Sequence, residues 1–397
     1  MSVGAIIHQL CSSCRQTVHK TRAVAVETVA EAIAYAGRVS PSYIGRVLRS
    51  DALPKHSIKR VDRLLGNVHL HRQWTTYYRA LAEFVLRGQR RPLIIIDWSG
   101  TVKGLYTLAA AVPIGGRAVT IYAEVHPESR YGNREVQVRF LRILQTIIGL
   151  QTRPVIVADA GFSAPFMNAV KQLGWDFIIR IRRGAYVRKN GQNGWVKCKD
   201  LYPLAVRKPK DLGVHRYTRD RDSCLTEPIY ARLILSKKPK RIGPKRPMRA
   251  PISGMKNRCS PVSAAREPWL LATSLQSSPK QVLQLYAQRM QIEENFRDCK
   301  SHRFGWSLRH VNSRCHKRMT TLLMLVAIAM TAVVIVGIAA ERRREHRQYQ
   351  ANTLERRVLS YFFLGQMIVA RNDIVAPTSE LMQTARTYLR QMVAQTR

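Results

Sequence analysis

Residues 92–97, Pro92-Leu93-Ile94-Ile95-Ile96-Asp97, place four apolar side chains in a row and close on a carboxylate. An unbroken run of this kind, rich in β-branched side chains, reads as a strand buried on both faces. The pattern returns at Pro154-Val155-Ile156-Val157-Ala158-Asp159, again ending in an acid. Between the two lie strand candidates at 105–113 and 118–125 and a stretch of helical period over 134–150. Beyond Asp159 follow a helix at about 163–174 and a strand at Asp176-Phe177-Ile178-Ile179-Arg180.

The order strand, strand, strand, helix, strand, helix, strand predicts an α/β fold with an RNase H-like mixed sheet rather than a doubly wound one. Residues 1–88 alternate apolar and basic positions at helical spacing and predict a helical N-terminal domain. Within it a helix after Pro54 puts Lys55, Lys59, Arg60 and Arg63 forward as DNA contacts. Of these, Lys59, Arg60 and Arg63 share a face opposite Ile58, Val61 and Leu65. A solvated charged face would look the same. Core residues 89–310 are interrupted by a β-rich insertion, 183–268, which carries a dense basic loop from Lys237 to Arg249; helical period resumes over 279–300. Residues 311–397 read as a helical C-terminal region for dimerisation or DNA contact.

Sixty-six Lys and Arg against 25 Asp and Glu give the 397-residue chain a formal charge of +41, spread along its length. Such a chain repels itself unless a polyanion neutralises it, which points to nucleic acid. Seven cysteines, an odd number, argue for reduced thiols in a cytoplasm. The Cys11–Cys14 pair has no second pair at zinc-ribbon spacing and reads as two ordinary helix cysteines. Residues 319–340 hold no charge for 22 positions, but basic clusters flank both sides, His316-Lys317-Arg318 and Arg342-Arg343-Arg344. We read this segment as a helix buried in protein, not a membrane span, because a helix apolar all round suits either setting and the flanks give no orientation.

An acid closing a buried strand is costly unless something compensates it, and here it happens twice. Metal ions are the economical explanation: two strand-end carboxylates and one from a helix make the oxygen-rich site that holds a Mg²⁺ pair. The third acid comes from Tyr286-Ala287-Gln288-Arg289-Met290-Gln291-Ile292-Glu293, continuing to Lys300. On one continuous helix Tyr286, Arg289, Glu293 and Lys300 fall within about 60° of one another, whereas Glu294 and Asp298 point elsewhere on the wheel.

Those four residues occupy every position of Y-x2-R-x3-E-x6-K, the signature of the insertion-sequence-four family of DDE transposases. The chain resembles that family, most nearly its insertion-sequence-ten subgroup, also at Asp97-Trp98-Ser99, Asp159-Ala160-Gly161-Phe162, residues 55–71 and Glu267-Pro268-Trp269-Leu270. The resemblance implies a metal-binding catalytic triad of Asp97, Asp159 and Glu293 with two Mg²⁺ ions, Mn²⁺ being able to substitute. It implies phosphate contacts from Tyr286, Arg289 and Lys300, and a base-stacking Trp269 that serves while the DNA end closes as a hairpin. Unstacking a base is costly, and an aromatic face offsets part of that cost. Met290 stands where some members carry a second aromatic wedge. The implied partners are double-stranded DNA, at transposon ends and target, and a second copy of the chain in a synaptic dimer. Two other readings share these residues: a catalytically inactive DNA-binding repressor of the same descent, which has no need of three acids, and an RNase H-like nuclease, which has no use for Trp269.

Overall fold

The computed structural model describes residues 2–102, 104–182, 184–218, 228–237, 267–351, 353–374 and 376–394. Apart from Lys237, the basic loop running to Arg249 lies outside these residues. Packing divides the chain into two compact units, Met1–Val157 with Leu173–Trp175 and Gln288–Arg397, and Ala158–Gln172 with Asp176–Ala287. The fold class is mixed α/β, with helices leading and trailing the strand-rich middle of the chain.

In the first unit β1 (Leu93–Gly100), β2 (Leu105–Pro113) and β3 (Ala118–Pro127) form an antiparallel meander. With β4 (Val155–Ala158) the strand order is β3-β2-β1-β4. The Arg153 amide donates to the Arg90 carbonyl at 2.7 Å and Val155 to Pro92 at 2.9 Å. Both partners thus advance together along the chain, so β4 runs parallel to β1. Ile94, Ile95 and Ile96 are fully buried, as a strand covered on both faces requires.

One expectation needs correcting. Asp97 does not end its strand: β1 continues to Gly100, with Ser99 opposite Thr107 and Gly100 opposite Tyr106. The apolar run stops at Ile96, but the β2 ladder continues to pair the backbone beyond it. Backbone pairing, not side-chain polarity, sets where a strand stops.

The uncharged run lies in a helix, His316–Arg342, whose residues Met319–Ala340 are all buried. It is long and apolar enough to span a membrane, yet here it is the core of the first unit. It packs against β3, the N-terminal helices Val3–Leu10, Lys20–Ala36 and Trp74–Leu86, and the C-terminal helices Tyr361–Arg371 and Thr378–Ala394. Its threonines have protein partners: Thr320 Oγ1 accepts the Val125 amide at 3.0 Å, and Thr321 Oγ1 accepts the Trp74 indole N–H at 3.1 Å. The helix Tyr361–Arg371 approaches so closely that a Cβ on Gly337 would lie 2.0 Å from the Tyr361 carbonyl oxygen. Only glycine fits there.

The second unit orders its strands β5-β10-β9-β8-β6-β7: β5 (Asp176–Ile181), β10 (Trp269–Thr273), β9 (Ile229–Ser236), β8 (Lys210–Thr218), β6 (Tyr186–Lys189) and β7 (Val196–Lys197). Each neighbouring pair is antiparallel.

Candidate active site

The helical signature segment folds as two helices, not one. Pro279–Ala287 lies in the second unit and Met290–Lys300 in the first. At the junction the Gln291 amide bonds to the Gln288 carbonyl and the Ile292 amide to the Arg289 carbonyl, so i→i−3 bonding interrupts the α ladder. The single continuous face expected for Tyr286, Arg289, Glu293 and Lys300 is therefore corrected to a face of three residues, with Tyr286 on the preceding helix.

Helix Met290–Lys300 is fastened along one side to the β2–β3 hairpin. Gln291 Oε1 accepts the Ile114 amide at 3.1 Å and the Gly116 amide at 3.0 Å. That hairpin turn needs Gly115 and Gly116, whose φ values are 82° and 95°. One turn on, Asn295 Nδ2 donates to Thr120 Oγ1 at 2.8 Å, and Asp298 Oδ2 accepts Arg117 Nε at 2.6 Å. Positions 291, 295 and 298 are spaced four and three apart, one face of the helix. Burial pushes the Asp298 carboxyl up to about 6, although Arg117 pulls it down.

A different side of the same helix meets β1. Arg289 Nη1 donates to Asp97 Oδ2 at 3.2 Å while its Nη2 donates to Glu293 Oε1 at 2.5 Å. One guanidinium thus joins two carboxylates that are far apart in sequence. Asp97 is buried and its other oxygen accepts the Trp98 amide at 2.9 Å. The Glu293 side chain, by contrast, is 40% exposed, so this carboxylate pair opens to solvent on the Glu293 side. Two residues beyond Asp97 on the same strand face, Ser99 Oγ accepts a hydrogen bond from Lys300 Nζ. Lys300 is itself buried, which lowers its ammonium to about 8; the nearby Arg309 adds to that, and Cys299 and Asp97 oppose it.

Asp159 belongs to the second unit, immediately after β4. Its Oδ1 accepts the Gly161 amide at 2.6 Å, and a Cβ on Gly161 would lie 2.8 Å from that oxygen. The glycine lets the carboxylate fold back over its own backbone. Trp269, the first residue of β10, is buried with its ring edge-on to Tyr286 at 4.9 Å. Beside them on β5, Arg180 is buried against the Glu267 and Pro268 carbonyls, 3.4 and 3.3 Å away, with the Glu267 carboxylate 3.8 Å off. Burial lowers its guanidinium from the ordinary value. Sequence reasoning passed over Arg180, Gln291 and Asn295. The one signal for Arg180 was a lone charge inside an apolar strand.

Lys55, Lys59, Arg60 and Arg63 are all exposed on helix Pro54–Leu65 in the first unit, opposite the buried Val61, Leu64 and Leu65. Helix Pro41–Val47 packs on it so closely that a Cβ on Gly45 would lie 2.4 Å from the Ile58 Cα. Lys59 reaches Asp62 at 3.9 Å and Arg60 donates to Ser50 Oγ at 3.0 Å.

Among the described residues no group of three or more His, Cys, Asp or Glu stands close enough to hold an ion. The first unit does supply two carboxylates converging on one cation, and Mg²⁺ is commonly held by one or two carboxylates together with substrate phosphates and water. That donor set fits a divalent ion.

A family model described as Transposase DDE domain matches residues 88–332, more than half of the chain. The chain belongs to the DDE transposase family. Membership implies DNA binding and transposase activity, a phosphoryl transfer of the kind that members generally carry out with divalent metal ions. The matched DDE segment contains Asp97, Asp159 and Glu293 and ends inside the buried core helix. Comparison with curated proteins gave no match.

Proposed function

We propose that the chain is a cut-and-paste transposase of the insertion-sequence-four type, closest to the insertion-sequence-ten subgroup. It binds the terminal inverted repeats of its element and carries out all strand breakage and joining at one site. The observation that carries this reading is the convergence of Asp97 and Glu293 on Arg289 within the family-matched segment.

Asp97, Asp159 and Glu293 would hold two Mg²⁺ ions, or Mn²⁺ in their place, which polarise the scissile phosphate and activate the attacking hydroxyl. Arg289, Lys300 and Tyr286 contact phosphates at the element's end. The cations of Arg289 and Lys300 offset charge on the phosphoryl group, and the Ser99 hydroxyl orients the Lys300 ammonium. Water cuts one strand, and the freed 3′-hydroxyl attacks the opposite strand to give a hairpin. A second water reopens the hairpin, and the same hydroxyl then attacks target DNA. Each step is a displacement at phosphorus, so one set of residues serves all four. Trp269 stacks on the base unstacked at the hairpin, which requires its buried ring to be uncovered.

Residues 1–88 form the DNA-binding domain, with Lys55, Lys59, Arg60 and Arg63 on the phosphate backbone. Residues 89–310 form the catalytic core with its insertion at 183–268. Residues 311–397 complete a homodimer that brings two ends together in the bacterial cytoplasm, at the nucleoid.

The decisive experiment is cleavage of a linear duplex carrying the terminal repeat, with Mg²⁺ or with EDTA, resolved on a denaturing gel. Mg²⁺-dependent nicks followed by hairpin-length products, lost in Asp97→Ala, support the proposal. Binding without strand breakage would replace it with the repressor reading, and nicks without hairpins with the nuclease reading.

A further inference from the structure

The core helix closes at Arg342 and is followed by Arg343 and Arg344, and the proposed chemistry leaves this basic run without a task. Arg343 has a structural one, since it pairs with Glu345 and Glu380, both at 2.7 Å. Arg344 has none of that kind. Its backbone sits in the left-handed region at φ 61°, where a β-carbon is unfavourable and glycine or asparagine is the usual choice. Arg344 directly follows the helix cap Arg343, a helix-ending position that glycine or asparagine usually takes.

Arg344 lines a pocket of about 510 Å³ in the first unit, together with Arg347, Arg356 and His346. Among the described residues the side chains of Arg344, Arg347 and Arg356 form no ion pair, and all three are exposed. Two further arginines of the pocket are held in place. Arg357 donates to Glu341 at 2.9 Å and lies over the Tyr361 ring, while Arg342 lies over Tyr388 and donates to Gln391 at 3.2 Å. With Glu341 and Glu355 as the acids in the lining, five guanidinium groups face two carboxylates.

The pocket is built, not merely a charged surface. The Gln350 side chain clamps the loop that carries Arg356, donating to the Leu354 and Arg356 carbonyls at 2.9 and 2.8 Å and accepting the Val358 amide at 2.9 Å. His346 is 5% exposed. Its Nε2 donates to the Glu355 carbonyl at 3.0 Å, and its Nδ1 has no hydrogen-bond partner among the described residues.

We propose that this pocket is a second phosphate-binding site, which seats the phosphodiester backbone of DNA on Arg344, Arg347 and Arg356 and shares no residue with the candidate active site. Guanidinium forks suit this ligand because they offer paired N–H donors to phosphate oxygens. The inference rests on the transposase reading for its ligand. Two stretches of DNA share that chemistry, the element's own end and the target.

The test is fluorescence anisotropy of the full chain on two labelled duplexes, one carrying the terminal repeat and one of unrelated sequence, across a range of salt concentrations. The variants are Arg344→Gly alone and the triple variant Arg344→Gly, Arg347→Gln, Arg356→Gln. Each phosphate contact removed should flatten the plot of log affinity against log salt by about 0.9, so the triple variant should lose between about 2 and 3 in slope. Loss on the terminal-repeat duplex alone assigns the pocket to the element's end, and equal loss on both assigns it to target or non-specific DNA. An unchanged slope and affinity on both duplexes would overturn the site while leaving the transposase reading intact. If the unaltered chain binds neither duplex, the transposase reading fails and takes the site with it. Arg344→Gly relieves the left-handed backbone, so its melting temperature should hold or rise while affinity falls. A drop in melting temperature would make Arg344 a structural residue and remove it from the site.

Discussion

Helix Met290–Lys300 presents two polar faces that differ in what they do with their charges. On one, Gln291, Asn295 and Asp298 are spent on the β2–β3 hairpin, each closed onto a partner inside the fold. On the other, Arg289, Glu293 and Lys300 turn toward Asp97 and Ser99, and the Glu293 carboxylate stays open to solvent. Side-chain exposure is 8% for Asp298 and 40% for Glu293, two acids of one helix. The first face fixes where the helix lies, and the second is thereby held at β1 with groups left available to a ligand.

Substitutions should separate the two faces. The largest effect is expected from Glu293→Gln, which should cut strand cleavage by about a thousandfold or more, since charge stabilisation at a metal centre is worth several kcal/mol. Binding to the terminal repeat and the denaturation midpoint should stay near those of the unaltered chain. Retained cleavage would remove Glu293 from the triad.

Next comes Arg117→Ala, which leaves Asp298 buried without its cation. Breaking such a pair costs about 3 kcal/mol or more. Urea denaturation should show the loss even where no DNA is present, and a loss of cleavage without destabilisation would place Arg117 on the functional face.

Asp298 also makes stability depend on pH. Its carboxyl titrates near 6 in the fold and near 3.8 when unfolded, so between these values the folded chain holds the extra proton. This contribution is complete below about 3.8 and is lost as pH rises through about 6, by roughly 2–3 kcal/mol in total. Denaturation of Asp298→Asn should lack this decline. Lys300 behaves oppositely: its ammonium titrates near 8 in the fold against 10.5 unfolded, so the cost of burying it is present below 8 and relieved as pH rises toward 10.5. The smallest effect is expected from Glu294→Gln. Its pairs with Arg297 at 2.5 Å and Arg117 at 3.8 Å are partly exposed, and their loss should cost under about 1 kcal/mol in the same denaturation assay.

The same contrast explains what could be read from sequence. Arg289, Glu293 and Lys300 were legible because helical period is a local property. The break before Met290 was not, because no Pro or Gly marks it and the change is one of hydrogen-bond step. The β1 and β4 runs were legible as buried strands, yet the end of β1 was not, since Ser99 and Gly100 are kept in the ladder by residues in β2. Asp298 stood on the wheel in plain view, but its partner Arg117 lies across a hairpin, and such pairings belong to the tertiary fold. The uncharged 22-residue run was legible as a buried helix because basic residues flank it on both sides.

That helix also has a consequence for how the protein is made. Helices Val3–Leu10, Lys20–Ala36 and Trp74–Leu86 all rest on His316–Arg342, so these segments leave the ribosome well before a packing surface that all three share. Contacts this distant in sequence form slowly and leave apolar faces exposed meanwhile. A message truncated before residue 316 would yield a chain with those faces permanently uncovered, a substrate for chaperones and proteases rather than a competitor for DNA.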